Sequence, residues 1–356
     1  MKPLACLTHW EAITSVGESA AETALLLRAG LNNVAPSRFV DATGERVLFC
    51  AAPALPTDLG AAERLVALAA HALAGLCRTL GRDLPERHRF APLLLVALPE
   101  RFAASAAGNE LNDPGRRFLK SLSDVLPDEL AGAEIEAFPF GRAAGALALG
   151  RALQRVGENR LVVWGGADTL HDWDVLQALE AADRLVTREN IDGVRPGEGA
   201  AFAVVARASG PGDVGVLAVG LGREAVPVGS EHPSLAFGMT QALATAVAPL
   251  RGAGQRTNQW WLDLTHEAYA TQALQNVIAR FGDVLGVKTD LQMPLKELGD
   301  VGAAAMPLLA VLGAEAWRLG HASDRTAVVT GCSDGGARGA FLLGAPAAFS
   351  VGAVVP

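Results

Sequence analysis

Apolar and polar positions fall into alternating blocks along this chain. Continuous apolar runs at 46–52 (RVLFCAA), 92–98 (PLLLVAL), 133–139 (AEIEAFP), 160–166 (RLVVWGG) and 198–207 (EGAAFAVVAR) predict strands. Helical periodicity fills the gaps at 59–80, 116–126, 141–156 and 168–186. The order then repeats, with strands expected at 214–222, 259–265, 287–293, 326–332 and 338–344 and helices at 232–250, 267–282 and 301–319. Apolar strands separated by helices imply an α/β fold whose sheet is mostly parallel and covered on both faces.

Residues 143–153, AAGALALGRAL, are hydrophobic on nearly every side. Such a helix belongs between layers, not on a surface. The stretch 301–319 has the same character, and two buried helices between sheets give a five-layered αβαβα order. An internal repeat supports this. Val162, Val163, Gly165 and Asp168 in RLVVWGGAD match Val328, Val329, Gly331 and Asp334 in TAVVTGCSD. A glycine-rich turn and an apolar strand follow each copy. Two duplicated α/β halves are expected, 1–208 and 209–356, divided at the linker SGPGDVG (209–215).

Composition narrows the function classes. Of 356 residues, half are hydrophobic, only 19% are charged, and the net charge is −8. That balance, with no basic cluster interleaved with aromatics, excludes general nucleic-acid binding. Cys6, Cys50, Cys77 and Cys332 are far apart and form no CxxC pair, so neither zinc ligation nor a disulfide framework is expected, and a reducing cytoplasm fits. Apolar runs broken by glycine, arginine or glutamate predict no membrane span, and the N-terminus lacks the apolar core of a signal peptide. His9, His71, His88, His171, His232 and His321 show no ligand spacing. GLGREA at 220–225 does not satisfy the dinucleotide fingerprint. No metal and no cofactor are expected. Trp260 and Trp261, adjacent on a strand, should point to opposite faces.

Five stretches carry a resemblance in order along nearly the whole chain. TSVGESAAETALLLRAGLNNV (14–34), RLVVWGGADT (160–169), GVRPGEGAAFAVVARA (193–208), LKELGDVGAAAMPLLAVL (295–312) and GCSDGGARGAF (331–341) resemble segments of the thiolase superfamily, nearest to the β-ketoacyl synthases. The resemblance implies a thiolase-like fold and acyl transfer of the 3-oxoacyl-acyl carrier protein synthase type. In that family a cysteine at the head of the buried helix has its thiolate favoured by the helix dipole. It accepts an acyl group, two histidines assist, and backbone N–H groups hold the thioester oxygen.

This sequence departs from the pattern at each chemical position. With Ala144 and Gly145 set on the small residue and glycine that follow the family's cysteine, Arg142 falls at the nucleophile, or Gly141 if the register slips by one. Arginine is no acyl acceptor. Thr265 stands for the first histidine, with His266 one step along as a shifted base turned away by strand alternation. Asp300 stands for the second, Lys296 for the family's lysine and Asp334 for its gating phenylalanine. Arg142 has two readings, an anion-binding group or a structural arginine paired with Asp300 or Asp334; the second is preferred. Asp300 and Asp334 as an acid/base pair, and Cys332 as a relocated nucleophile, remain alternatives.

The expectation is a catalytically degenerate synthase-like scaffold. It forms a homodimer, or a heterodimer with a related chain, through a sheet edge of its first half. Its protein partner is an effector of a bacterial type VI secretion cluster or an acyl carrier protein. The alternatives are a chain-length-factor-like partner of an active synthase, or an acyltransferase using Cys332.

Overall fold

The computed structural model describes residues 1–81, 90–103, 113–207 and 210–347. The first half contains β1 (Ala5–Ile13), α1 (Ala20–Arg28), a hairpin of β2 (Val34–Val40) and β3 (Arg46–Cys50), α2 (Ala61–Leu80), β4 (Leu93–Leu98), α3 (Pro114–Ser123), β5 (Glu134–Pro139), α4 (Ala144–Arg155), β6 (Val162–Thr169), α5 (Trp173–Ala181) and β7 (Glu198–Ala206). The second contains β8 (Val214–Arg223), α6 (Phe237–Ala246), α7 (Ala248–Gly252), β9 (Thr257–Leu262), α8 (Ala268–Arg280), β10 (Leu285–Gln292), α9 (Leu295–Leu298), α10 (Ala305–Arg318), β11 (Thr326–Cys332) and β12 (Ala337–Gly344).

Ten strands form one sheet in the order β10-β9-β11-β12-β8-β1-β7-β6-β4-β5. Read outward from the centre, β1-β7-β6-β4-β5 and β8-β12-β11-β9-β10 are the same arm twice. In both arms the outer three strands are parallel and the inner ones antiparallel. The arms meet where Ala5, Cys6 and Leu7 pair with Val216, Gly215 and Val214. The sheet is therefore mixed where a mostly parallel one was expected. One reason is local: only Ser333 to Gly336 separate β11 from β12, and a parallel crossover needs a dozen residues or more.

Alternate residues of each strand feed different layers. Leu93, Leu95, Trp164, Val329 and Phe341 pack inward on α4 and α10. Leu94, Val96, Val163 and Phe202 pack outward on α2 and α3. Trp260, Leu262, Val328 and Leu342 pack outward on α6 and α8. Three apolar clusters between two helical skins and a central helical layer make the five-layered order. Trp260 and Trp261 do point to opposite faces, and both are buried.

Several boundaries differ from the pattern-based ones. β1 was not anticipated: a register shift between Leu7 and Trp10 breaks its alternation, and Trp10 Nε1 spends its donor on Glu315 Oε1 at 2.7 Å. β2 was not anticipated either. Asp168 and Thr169 complete β6, so α5 starts only after the Asp172 cap, whose side chain accepts from Asp174 N at 3.0 Å. The helix expected over 232–250 is two helices, α6 and α7, with a proline in the first turn of α7.

The buried glutamate of the GEG stretch is structural. Glu198 takes Arg64 Nε at 2.6 Å and Nη2 at 2.8 Å, Ala52 N at 2.8 Å and Thr169 Oγ1 at 2.8 Å. With every lone pair engaged, it ties α2, β6 and β7 together.

The two outer edges of the sheet are unlike. β5 pairs with β4 in unbroken register from Glu134 to Pro139. β10 pairs with β9 through a register break between Leu285 and Asp290. Among the described residues no helix is long and apolar enough to cross a membrane. The expected division between residues 208 and 209, and His88, lie outside the described residues.

Candidate functional site

The corner between β5 and α4 is a single 3-10 turn, Gly141–Ala143. Gly141 sits at φ +64°, a left-handed conformation that favours glycine. Gly145 is fixed by packing: a Cβ there would lie 2.7 Å from both Met306 Cβ and Pro307 Cδ of α10. The small-residue pair after the corner is thus set by the crossing of the two buried helices, whatever side chain sits at 142.

Arg142 is held on all sides. Its Nε donates to Asp300 Oδ1 at 3.1 Å and its Nη2 to Asp300 Oδ2, while Nη1 donates to Cys332 O and Asp334 Oδ1, both at 3.2 Å. Its side chain is 12% exposed and that of Asp300 4%. Asp300 Oδ1 also accepts Gly302 N at 2.9 Å, which anchors the carboxylate at the head of α10. Asp334 passes the lattice on. Its Oδ2 takes Arg184 Nη1 at 2.8 Å, and Arg184 Nε reaches Glu267 Oε1 at 2.7 Å. The chain of charge runs Asp300–Arg142–Asp334–Arg184–Glu267 and crosses from one half of the molecule to the other.

Burial opposes the Arg142 charge, yet Asp300 and Asp334 hold its pKa well above the usual guanidinium value. Burial likewise opposes the Asp334 charge, and Arg142 and Arg184 more than offset it, so Asp334 lies below the ordinary carboxylate range. The group at the corner is a fixed cation that carries no labile proton for acid/base work.

The other residues singled out in the sequence separate from this centre. Thr265 is buried beyond the end of β9 and donates to Glu267 Oε2 at 3.3 Å. The strand expected over 259–265 ends at Leu262, so His266 belongs to a loop and strand alternation does not orient it. Burial lowers its pKa, and Arg195 and Lys296 push the same way. Lys296 lies in α9, where its carbonyl accepts Arg195 Nη1 at 3.1 Å. Cys332 is at the corner's back wall, but burial and Asp263 push its thiol up to about 12. The thiolate needed for nucleophilic attack is therefore scarce at neutral pH. Cys6, Cys50 and Cys77 are buried.

Arg142 and Asp334 stand between two spaces. On one side is a cleft of about 300 Å³ lined by Glu100, Arg101, Asp168, Arg184, Asp300 and apolar residues of α5. Burial raises Asp168 and Glu100 above the ordinary carboxylate range. On the other side is a cavity of about 50 Å³ between the β9–β11 face and helices α6 and α8. Among the described residues no group of three or more His, Cys, Asp or Glu is placed to hold a metal ion.

Sequence reasoning missed Arg184, Glu267, Glu100, Arg101 and Asp263 as members of this site. The repeat offered one signal. Asp168 is the counterpart of Asp334, and it accepts Ala303 N at the head of α10 at 2.9 Å and Arg101 Nη2 at 3.1 Å. Arg184 left no mark, because it lies in a loop that only the fold brings to the corner.

No protein-family model matches the sequence, and no curated protein matches it. Solved structures do. The ishigamide ketosynthase/chain length factor is similar at 20% identity, with 96% of this chain and 99% of that chain covered and a TM-score of 0.66. A ketosynthase in complex with its chain length factor from Xenorhabdus doucetiae shares 16% identity over 96% of this chain and 98% of that one, TM-score 0.69. A β-ketoacyl synthase from Burkholderia phymatum shares 17% over 97% and 100%, TM-score 0.68. The chain has the thiolase-like fold of ketosynthases.

Proposed function

We propose that this chain is a non-catalytic, ketosynthase-like scaffold that works as one subunit of a pair. The observation that carries the reading is Arg142: a guanidinium clamped between two carboxylates occupies the corner where the resemblance puts a nucleophilic cysteine. A cation there raises the energy of a nearby protonated base and offers no electron pair to a thioester. Thr265 and Asp300 stand where the resemblance puts imidazoles, and both are committed to the ion lattice. Cys332, the alternative nucleophile, is half-buried and held as the thiol.

Chain-length-factor-like pairing with an active synthase is the form of this reading that the structural neighbours favour, since two of them are ketosynthases solved with such a factor. The partner is then a related chain bound at the β5 edge, with an acyl carrier protein visiting the pair. Co-expression with the synthase and carrier protein of its own cell tests this, followed by affinity purification and intact-mass analysis after exposure to acyl thioesters. A stoichiometric complex in which only the partner gains an acyl group is expected. An acyl adduct on this chain, lost in Cys332→Ala, overturns it. Recovery of a type VI effector instead of a synthase supports the scaffold role and moves its place to secretion.

A further inference from the structure

The hairpin of β2 and β3 stands apart from the ten-stranded sheet. Its strands pair with each other and, beyond that, through one bridge between Cys50 and Gly197. A lone pair of strands is marginal in water, so this one depends on what it packs against. Phe39 and Phe49 turn inward onto Leu176, Leu185, Leu170 and Val194. His171 joins both phenylalanines edge-on, with ring centroids 4.9 Å from Phe39 and 5.1 Å from Phe49. Trp173 stacks on Phe39 at 5.9 Å.

His171 is 6% exposed, and its buried Nδ1 has no hydrogen-bond partner. The charged groups that face it are Arg64 of α2, Glu198 of β7 and Arg38 of β2. Glu198 is already engaged by four donors. Arg38 lies over the Phe39 ring at 5.3 Å. A proton added at Nδ1 would therefore meet two cations, one committed carboxylate and no acceptor. Burial, then Arg64, hold the His171 pKa below 6.5, with Glu198 opposing and Arg38 adding to the effect. The wall beneath the hairpin is shared with the site. Val175 and Leu179 of α5 pack against this aromatic cluster and also line the charged cleft beside Arg142.

We propose that the β2–β3 hairpin is an acid-released flap: neutral His171 lets it seat on α5, and protonation of His171 unseats it and loosens the wall of the cleft. In the released hairpin His171 meets water and takes its ordinary pKa of about 6.5. The seated state is therefore fully favoured above 6.5. Below that it loses up to about tenfold per pH unit, until the pH reaches the lower pKa of the seated ring. Carboxylates also tie the hairpin. Glu180 Oε1 accepts Ala42 N at 2.6 Å, Glu45 pairs with Arg188 at 2.9 Å, and Asp41 Oδ1 accepts Glu45 N at 2.9 Å. A test must separate His171 from these.

Hydrogen exchange read by mass spectrometry on the full chain does so, over a pH series from about 7.5 to 5 and corrected for intrinsic exchange rates. Between the ends of the series, β2 and β3 amides are expected to lose protection by about fivefold or more, while β4 and β6 keep theirs. The loss sets in below about pH 6.5, where histidine titrates. His171→Phe keeps an aromatic ring without a titrating nitrogen and removes the pH dependence. His171→Gln does the same without the ring, and circular dichroism shows which variants are folded. Constant protection of the hairpin in the parent chain overturns the proposal. So does an equal loss over β4 and β6, or the same loss in a folded His171 variant. A loss that begins only below about pH 5 belongs to the carboxylates, and it overturns the proposal even if neither variant folds.

Discussion

At the head of α4 the chain turns through Gly141 at φ +64°, and at the head of α10 through Gly302 at φ +49°. Each glycine opens a 3-10 turn, and each buried helix follows directly. The third residue of one turn, Ala143, donates its N–H to Ser333 Oγ at 2.8 Å; the second of the other, Ala303, donates to Asp168 Oδ2 at 2.9 Å. The backbone device is nearly the same in both halves. The side chains are not: one turn carries Arg142 in a lattice of charge, the other carries buried Ala303. A helix head can be kept as architecture while the group it presents is exchanged.

The largest effect expected from breaking this comparison is at Arg142. Arg142→Ala leaves Asp300 buried without its cation and destabilises the fold by about 3–5 kcal/mol, measured by chemical denaturation. If the variant is as stable as the parent, the lattice is not structural. Next come the two glycines. A Cβ at Gly302 would sit 1.9 Å from Asp168 Oδ2, whereas one at Gly141 would meet Glu100 Cγ at 3.0 Å. Both substitutions incur the left-handed backbone cost of about 1–2 kcal/mol. Gly302→Ala should exceed Gly141→Ala by about 1–2 kcal/mol, because it also displaces the acceptor of Ala303 N. Equal losses would mean that the two heads are equally crowded.

A smaller effect is linked to pH. Burial raises Asp263 from 3.8 to about 6, against the pull of Arg142. Between pH 3.8 and 6 the native state therefore holds a proton that the unfolded chain has released, so this group's contribution to stability falls as pH rises and is flat above 6. Asp263→Asn should stabilise the protein at pH 8 by on the order of 2 kcal/mol. The gain should vanish near pH 4. A gain that grows on acidification has the wrong sign and contradicts the burial argument. The smallest effect belongs to Asp334, whose side chain is 40% exposed. Asp334→Asn should cost about 1 kcal/mol or less, with Arg142 still held by Asp300.

The sequence made the layers legible because burial writes itself as apolar runs: β4 is LLLVAL and is buried at every position. The repeat around Asp168 and Asp334 was legible for the same reason, since both arms use the same strand and turn. β1 was hidden. It lies at the centre of the sheet, yet Thr8, His9, Trp10 and Glu11 look polar, and only partners distant in sequence, such as Glu315, explain them. At the site, Arg142, Asp300 and Asp334 could be named from their places in recurring motifs. Arg184, Glu267 and Asp263 could not, because their roles arise from contacts across 150, 83 and 69 residues of chain. Motifs mark where a backbone turns; they do not mark which distant side chains neutralise the charge placed there.

The unequal rims of the sheet limit how copies of this molecule add to one another. A strand flank with regular spacing is a template for a second chain, and a molecule with two such flanks would polymerise end to end. Here the β5 flank is regular and the β10 flank is interrupted after Leu285. Of the two flanks, the regular β5 edge is therefore the better template for a second chain.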